Sequence, residues 1–357
     1  MFTASRLSLA RKRRGLTKKG LAEAIGVTPH TVLRYESGEM EPSGDVLQKI
    51  ACALDFDVEF FSGDDVDEIH EEAASFRSMA AMTARQRDAA LAAGSLAFIF
   101  SDWIEREFDL PAPQLELFPE EQPEIAARSL RQFWGLGERP IKNMVHLLEA
   151  KGVRVFALTE NTRTVDAFSL WRGEQPFVFL NTLKSAERSR FDAAHELAHL
   201  VLHHHGGPQG RLAEEQADRF ASSFLMPSAD VKAVAPRVHT INQVIQLKTR
   251  WGVSALAMTY RLHKLGSITD WQYRTFCIRL SELGRDKEPN GMMREQSAIW
   301  QKVLTTLWAE RKTKSHIADD LHMPVHEIEN LLFGLANSQS VTLASFDSGS
   351  NLKLVTK

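Results

Sequence analysis

Phe191-Asp192-Ala193-Ala194-His195-Glu196-Leu197-Ala198-His199-Leu200-Val201-Leu202 is the stretch from which the rest of this 357-residue chain is best read. Residues four apart on a helix lie little more than one turn apart, so His195 and His199 present two imidazoles to one point. Two imidazoles so placed suit a zinc ion. Glu196, one step on, stands beside them rather than between them, where it can take a proton from a water molecule. The flanking Phe191, Ala194, Leu197, Ala198, Leu200, Val201 and Leu202 are apolar, and they predict a buried helix, as a dry and rigid site requires.

Catalytic zinc keeps three protein ligands and one open position. The third should stand on an element that folds back over the first helix. Past the turn His205-Gly206-Gly207-Pro208, a second helix is expected over Leu212 to Phe224, with Glu214 and Glu215 near its start. Glu214 is preferred, because Glu214 and Asp218 are four apart and point the same way. One carboxylate would then be a ligand, and Asp218 would orient a ligand histidine through its far nitrogen. His203, His204 and His205 are expected to be solvated residues at the helix end.

Three segments around these residues resemble the ImmA/IrrE family of metallopeptidases: Phe177–Asn181, Arg190–His199 and Glu214–Pro227. The family pattern is a helix with Phe-x-x-Ala-His-Glu-x-x-His, followed by a second helix ending in Leu-Met-Pro, here Leu225-Met226-Pro227. Trp251-Gly252-Val253-Ser254, Tyr260-Arg261-Leu262 and Leu265-Gly266 extend the likeness over residues 125–266. The resemblance implies a zincin-like peptidase domain with His195, His199 and Glu214 as zinc ligands and Glu196 as general base. It also implies helix-turn-helix repressors as substrates. Family members often carry an acidic residue where this chain has Gln216, which leaves the assigned ligands untouched. The strand Phe177–Asn181 is a candidate edge for an added substrate strand, with an ordinary core strand as the alternative.

A second decisive stretch runs from Thr17 to Gly38. Thr17 caps a first helix, Gly26 permits a tight turn, Thr28 caps a second helix, and Pro29 takes its first position. Ala22, Ile25, Val27, Val32 and Leu33 would hold the pair together. That leaves Thr28, His30, Thr31 and Arg34, with Tyr35 as a further candidate, for the major groove of operator DNA. Arg11 to Arg14 and Lys18-Lys19 are expected on phosphates, Lys18, Arg13 and Arg14 foremost. The segment is similar to the XRE (Cro/repressor-like) helix-turn-helix family over residues 5 to about 60. A dimer is expected, since paired half-sites supply the affinity one short module lacks.

Net charge is only −3, so any affinity for nucleic acid must be local. It is local: between Arg6 and Arg34 eight basic side chains meet only Glu23, and an acidic run, Asp64-Asp65-Val66-Asp67-Glu68 with Glu71 and Glu72, follows. Cys52 and Cys277 are the only cysteines, which excludes a disulfide framework and a thiolate zinc site. With no signal-like apolar core and no apolar run of membrane-spanning length, a cytoplasmic protein away from membranes is expected.

The chain is therefore expected to be mainly α with a small β-sheet, an α+β protein. The expected division is a helix-turn-helix domain over 1–61, a helical connector and Pro-rich arm over 62–124, a peptidase domain over 125–266, and a helical C-terminal region over 267–357. Strands are expected over Val153–Leu158, Phe168–Arg172 and Phe177–Asn181. Ser315 to Ile328 repeats a helix-turn-helix rhythm, but Asp319, Asp320, Glu327 and Glu329 suit packing better than phosphates. Trp300 and Trp308 are expected on one buried or interface stripe, and Met292 and Met293 as core filler. The function expected is a DNA-binding regulator whose zinc endopeptidase cleaves a repressor, a toxin-type partner or itself. The alternative is a non-proteolytic transcription factor or antitoxin using the peptidase-like fold as a sensing scaffold.

Overall fold

Capping chemistry sets the helix boundaries at the N-terminal end. After α1 (Ala4–Arg13), the Thr17 hydroxyl accepts from the Gly20 amide and opens α2 (Lys18–Ile25), which Gly26 ends in the left-handed region at φ 75°. The Thr28 side chain accepts from the Thr31 amide and opens α3 (Pro29–Glu36). Two further helices follow, α4 (Gly44–Leu54) and α5 (Ala84–Glu107), the second opened by a reciprocal capping pair of Thr83 and Gln86. The computed structural model describes residues 1–69, 75–76, 83–119, 121–158, 167–204, 210–282 and 288–336. The expected turn over His205–Pro208, the acidic Glu71 and Glu72, and the C-terminal tail fall outside the described residues.

Next come α6 (Pro123–Phe133), α7 (Met144–Ala150), β1 (Arg154–Ala157), β2 (Ala167–Arg172), β3 (Gln175–Leu180), α8 (Ala186–Leu202) and α9 (Arg211–Leu225). They lead into α10 (Ser228–Val234), α11 (Ile241–Trp251), α12 (Ala255–Lys264) and α13 (Asp270–Glu282). The last helices among the described residues are α14 (Ala298–Ala309), α15 (Lys314–Leu321) and α16 (Val325–Leu332). Sixteen helices among the described residues and one small sheet make the protein α+β.

Two units emerge from the packing. One comprises Met1–Leu110, Phe156–Val165 and Ile299–Lys357; the other comprises Pro111–Val155 and Asp166–Ala298. In the first, α1 packs on α5, and α15 and α16 also pack on α5. Phe100 and Trp300 stack with ring centroids 5.0 Å apart, and Phe156 lies 5.2 Å from Trp300. Arg11 pairs with Glu36 and joins α1 to α3. Glu327 on α16 is almost fully buried and accepts from both Arg13, at 2.8 Å, and Arg14.

In the second unit the described part of the proline-rich segment before α6 forms no helix and is tied down through its backbone, while Pro123, expected in that arm, instead opens α6. The Gln114 amide donates to the Lys151 carbonyl, and the Phe118 amide to the Val201 carbonyl. Gly152 is required here: at φ +79° a β-carbon would stand 2.3 Å from the Ala112 carbonyl oxygen. β2 and β3 form an antiparallel hairpin in which Phe168 faces Phe179 and Leu170 faces Phe177. β3 lies between β2 and β1 in the sheet. It is therefore an interior strand, buried from Pro176 to Leu180, and not an edge on which a substrate strand could add. Helix α8 packs on this sheet with one face and on α9 with another.

Three packing expectations need correcting. Tyr35 is 5% exposed and belongs to the core, whereas Leu33 is 44% exposed. Tyr35 follows Val32 by three residues and shares its face, while Leu33 is turned away. Trp300 is buried but Trp308 is exposed, since eight residues leave the two roughly 80° apart around a helix. Met293 is exposed rather than core filler.

Candidate metal centre and nucleic-acid interface

Helix α8 starts at Ser185, whose hydroxyl accepts from the Arg188 amide, and carries His195, Glu196 and His199 into the interior beside α9. His195 Nε2 lies 3.1 Å from His199 Nε2 and 3.2 Å from Glu214 Oε2, while Glu214 Oε1 lies 3.5 Å from His199 Nε2. One atom from each of the three residues lies within 4.8 Å of the others. Glu214 stands in the first turn of α9, and Glu215, its rival in the sequence, instead pairs with Arg211 at 2.8 Å.

These residues fit a divalent ion. Two imidazole nitrogens facing each other share at most one proton between them. Glu214 Oε2 is buried and makes no hydrogen bond. A cation among the three would engage every one of these atoms, and two nitrogens with one carboxylate oxygen are a donor set zinc accepts.

The electrostatics follow from burial and charge. Burial disfavours a charged His195, but hydrogen bonding to Asp218, the facing Glu214 and the charge of Glu196 outweigh it and push the imidazole up to about 9. Burial takes His199 down to about 4. Burial also works against a charged Glu214, yet the two imidazoles before it hold its carboxyl well below the usual range. Glu196 is pushed up to about 8 by burial, against the pull of His195 and Ser169. A buried carboxyl whose affinity for a proton lies near neutrality is suited to exchange one.

The second rank of side chains was only half foreseen. Asp218 Oδ1 lies 2.9 Å from His195 Nδ1, in the orienting position expected of it. Ser169, on β2, donates its hydroxyl to Glu196 Oε2 at 2.7 Å. Its sign in the sequence is a lone serine within the buried run Phe168–Leu170. His203 is not a solvated helix end: its ring lies between His199 and Gln216, 2.9 Å from each. Farther out, Arg261 donates to the Met226 carbonyl at 2.9 Å and to the Ser223 hydroxyl, fixing the end of α9.

On the helix-turn-helix, Thr28 and His30 are exposed and Thr31 and Arg34 half-buried, around the start and one side of α3. Thr28 is occupied as a cap, with its hydroxyl 2.9 Å from that of Thr31. Arg34 stands 3.6 Å from Glu39, and Lys18 Nζ lies 3.5 Å from Glu36. Arg13 and Arg14 stand apart from this group. Both are engaged with Glu327 instead of facing solvent as free phosphate contacts, and Arg11 is likewise buried against Glu36.

Family models match two segments of the chain. Residues 148–263 match the IrrE N-terminal-like domain, a peptidase family, and residues 7–61 match the helix-turn-helix family of XRE type. No curated protein matches. Among solved structures, the crystal structure of Bacillus thuringiensis PlcR in complex with the peptide PapR7 and DNA is similar at 15% identity. That match covers 78% of this chain and 92% of that chain, with a TM-score of 0.16. Among the described residues, no helix is long and apolar enough to cross a membrane.

Proposed function

We propose that this chain, which joins an XRE-type helix-turn-helix to an IrrE N-terminal-like domain, is a cytoplasmic DNA-binding regulator with zinc-dependent endopeptidase activity. Its substrate is a repressor or toxin-type partner protein, or a second copy of the chain itself. The observation that carries the reading is the convergence of His195, His199 and Glu214 with Glu196 buried alongside. His195, His199 and Glu214 are assigned as the residues that hold the ion, with Asp218 orienting His195. When bound, zinc supplies a Lewis acid that polarises a scissile carbonyl and acidifies water toward neutral pH.

The chain's own residues do the rest. Glu196 takes the proton of the attacking water and returns it to the leaving amine. Ser169 holds its carboxylate toward the site through one hydrogen bond. The apolar packing of α8 excludes bulk water from the pair. On the DNA side, Lys18, Thr28, His30, Thr31 and Arg34 are assigned to an operator read by a homodimer. The domains assigned are 1–61, 62–124, 125–266 and 267–357.

Two experiments test the halves separately. Glu196→Gln should keep its zinc, measured by elemental analysis, and lose cleavage of candidate repressors by at least about a hundredfold. If wild type and variant cleave equally little while binding operator fully, the chain is a non-proteolytic regulator. Arg34→Ala combined with Thr31→Ala should abolish specific operator binding with zinc content intact. Unchanged operator affinity in that variant refutes the DNA-facing assignment.

A further inference from the structure

His199 is held at its far nitrogen by an arrangement unlike that on His195. His195 Nδ1 faces the carboxylate of Asp218, an acceptor only, so this ring donates from Nδ1, and once its other proton gives way to a bound cation its lone pair falls on Nε2, toward the site. His199 Nδ1 instead faces a second imidazole, His203 Nδ1, at 2.9 Å, and the far side of that ring faces Gln216 Oε1 at 2.9 Å. We propose that Gln216 and His203 form a relay that sets the tautomer of His199 and thereby the affinity of the site for a divalent ion. This rests on the metal-site reading above.

The argument is one of donors and acceptors. Gln216 Oε1 can only accept, so His203 must donate from Nε2. A neutral His203 then has a lone pair on Nδ1. One proton fits between the two facing Nδ1 atoms, so His199 supplies it. The lone pair of His199 is thereby placed on Nε2, the atom that faces His195 and Glu214. With the Gln216 amide turned the other way, every donor in the chain reverses. His199 would then carry its proton on Nε2, aimed into the site, and could not ligate. Gln216 and Glu214 stand two residues apart on α9, so one helix delivers both a ligand and the group that readies another. An amide, unlike the carboxylate of Asp218, permits both settings. His203 and Gln216 are positioning residues: they act on the ion through His199.

Zinc affinity, measured by competition with a chromophoric chelator, is the test, with the thermal midpoint of each metal-free variant as the check on folding. His203→Phe and Gln216→Leu should each weaken zinc binding about 10- to 100-fold, as loss of a partner behind a ligand histidine does. Gln216→Glu, an acceptor in both orientations, should bind at least as tightly as wild type. In a His203→Phe background it should give no gain, which separates the relay from the plain attraction of an added negative charge. In the metal-free wild type, imidazole nitrogen NMR should show His199 protonated at Nδ1, and Gln216→Leu should redistribute that proton. Zinc affinity within twofold of wild type in both His203→Phe and Gln216→Leu overturns the relay while leaving the metal site standing. Wild type and His195→Ala taking up equally little zinc would overturn the metal-site reading itself.

Discussion

Glu327 is 1% exposed and lies between two guanidiniums, those of Arg13 and Arg14. Burial alone would raise its carboxyl, but the charges and hydrogen bonds of the arginines hold it below the usual range. A carboxyl whose affinity for protons is lower folded than unfolded adds stability above its unfolded pKa, and that stability is lost as pH falls through the folded value. Glu327→Gln should thus cost roughly 1–3 kcal/mol at pH 7, and the gap to wild type should shrink below about pH 4.5, read by urea denaturation at both pH values. An equal gap at pH 3 and pH 7 would remove the ion-pair account. A packing role for Glu327 was legible in the sequence, but its two partners were not. Arg13 and Arg14 look like phosphate contacts because their partner lies more than 300 residues along the chain. His195, Glu196 and His199 were legible because helical spacing alone puts them together, and Asp218 because it shares a face with Glu214. His203 and Gln216 were not, since their meeting depends on how α8 and α9 pack.

At the scale of elements, the turn between α2 and α3 was readable residue by residue. Thr17, Gly26, Thr28 and Pro29 act through hydrogen bonds and backbone freedom within their own neighbourhood. Phase around α3 was less readable, because Leu33 is the more apolar residue while Tyr35 is the one that faces inward. Tyr35→Ala should cost about 3–5 kcal/mol, comparable to other large aromatic truncations in a core, and Leu33→Ala less than about 0.5 kcal/mol. Chemical denaturation of the two variants decides it, and a larger loss for Leu33→Ala would mean the helix is turned the other way. The strands were found close to their places from their β-branched and aromatic runs. Their order was not, as short apolar runs do not say which of them lies inside a sheet.

On the scale of the whole molecule, a ligand that binds only the folded state stabilises it by mass action. Zinc at a hundred times its dissociation constant should add about 2.7 kcal/mol and raise the thermal midpoint; a chelator should reverse the shift, and His195→Ala should show none. A wild-type midpoint indifferent to zinc would remove the ion from the account. The interior position of β3 has a further effect on what the protein can select. A visiting polypeptide cannot zip its amides onto Gln175–Leu180, because that ladder is already taken on both flanks. Zipping of that kind is blind to side chains and lets a hydrolase digest almost any extended chain. If the proposed peptidase reading holds, closing this strand to such pairing leaves the choice of client to the shape and charge it brings to α8, which favours one dedicated client over general digestion.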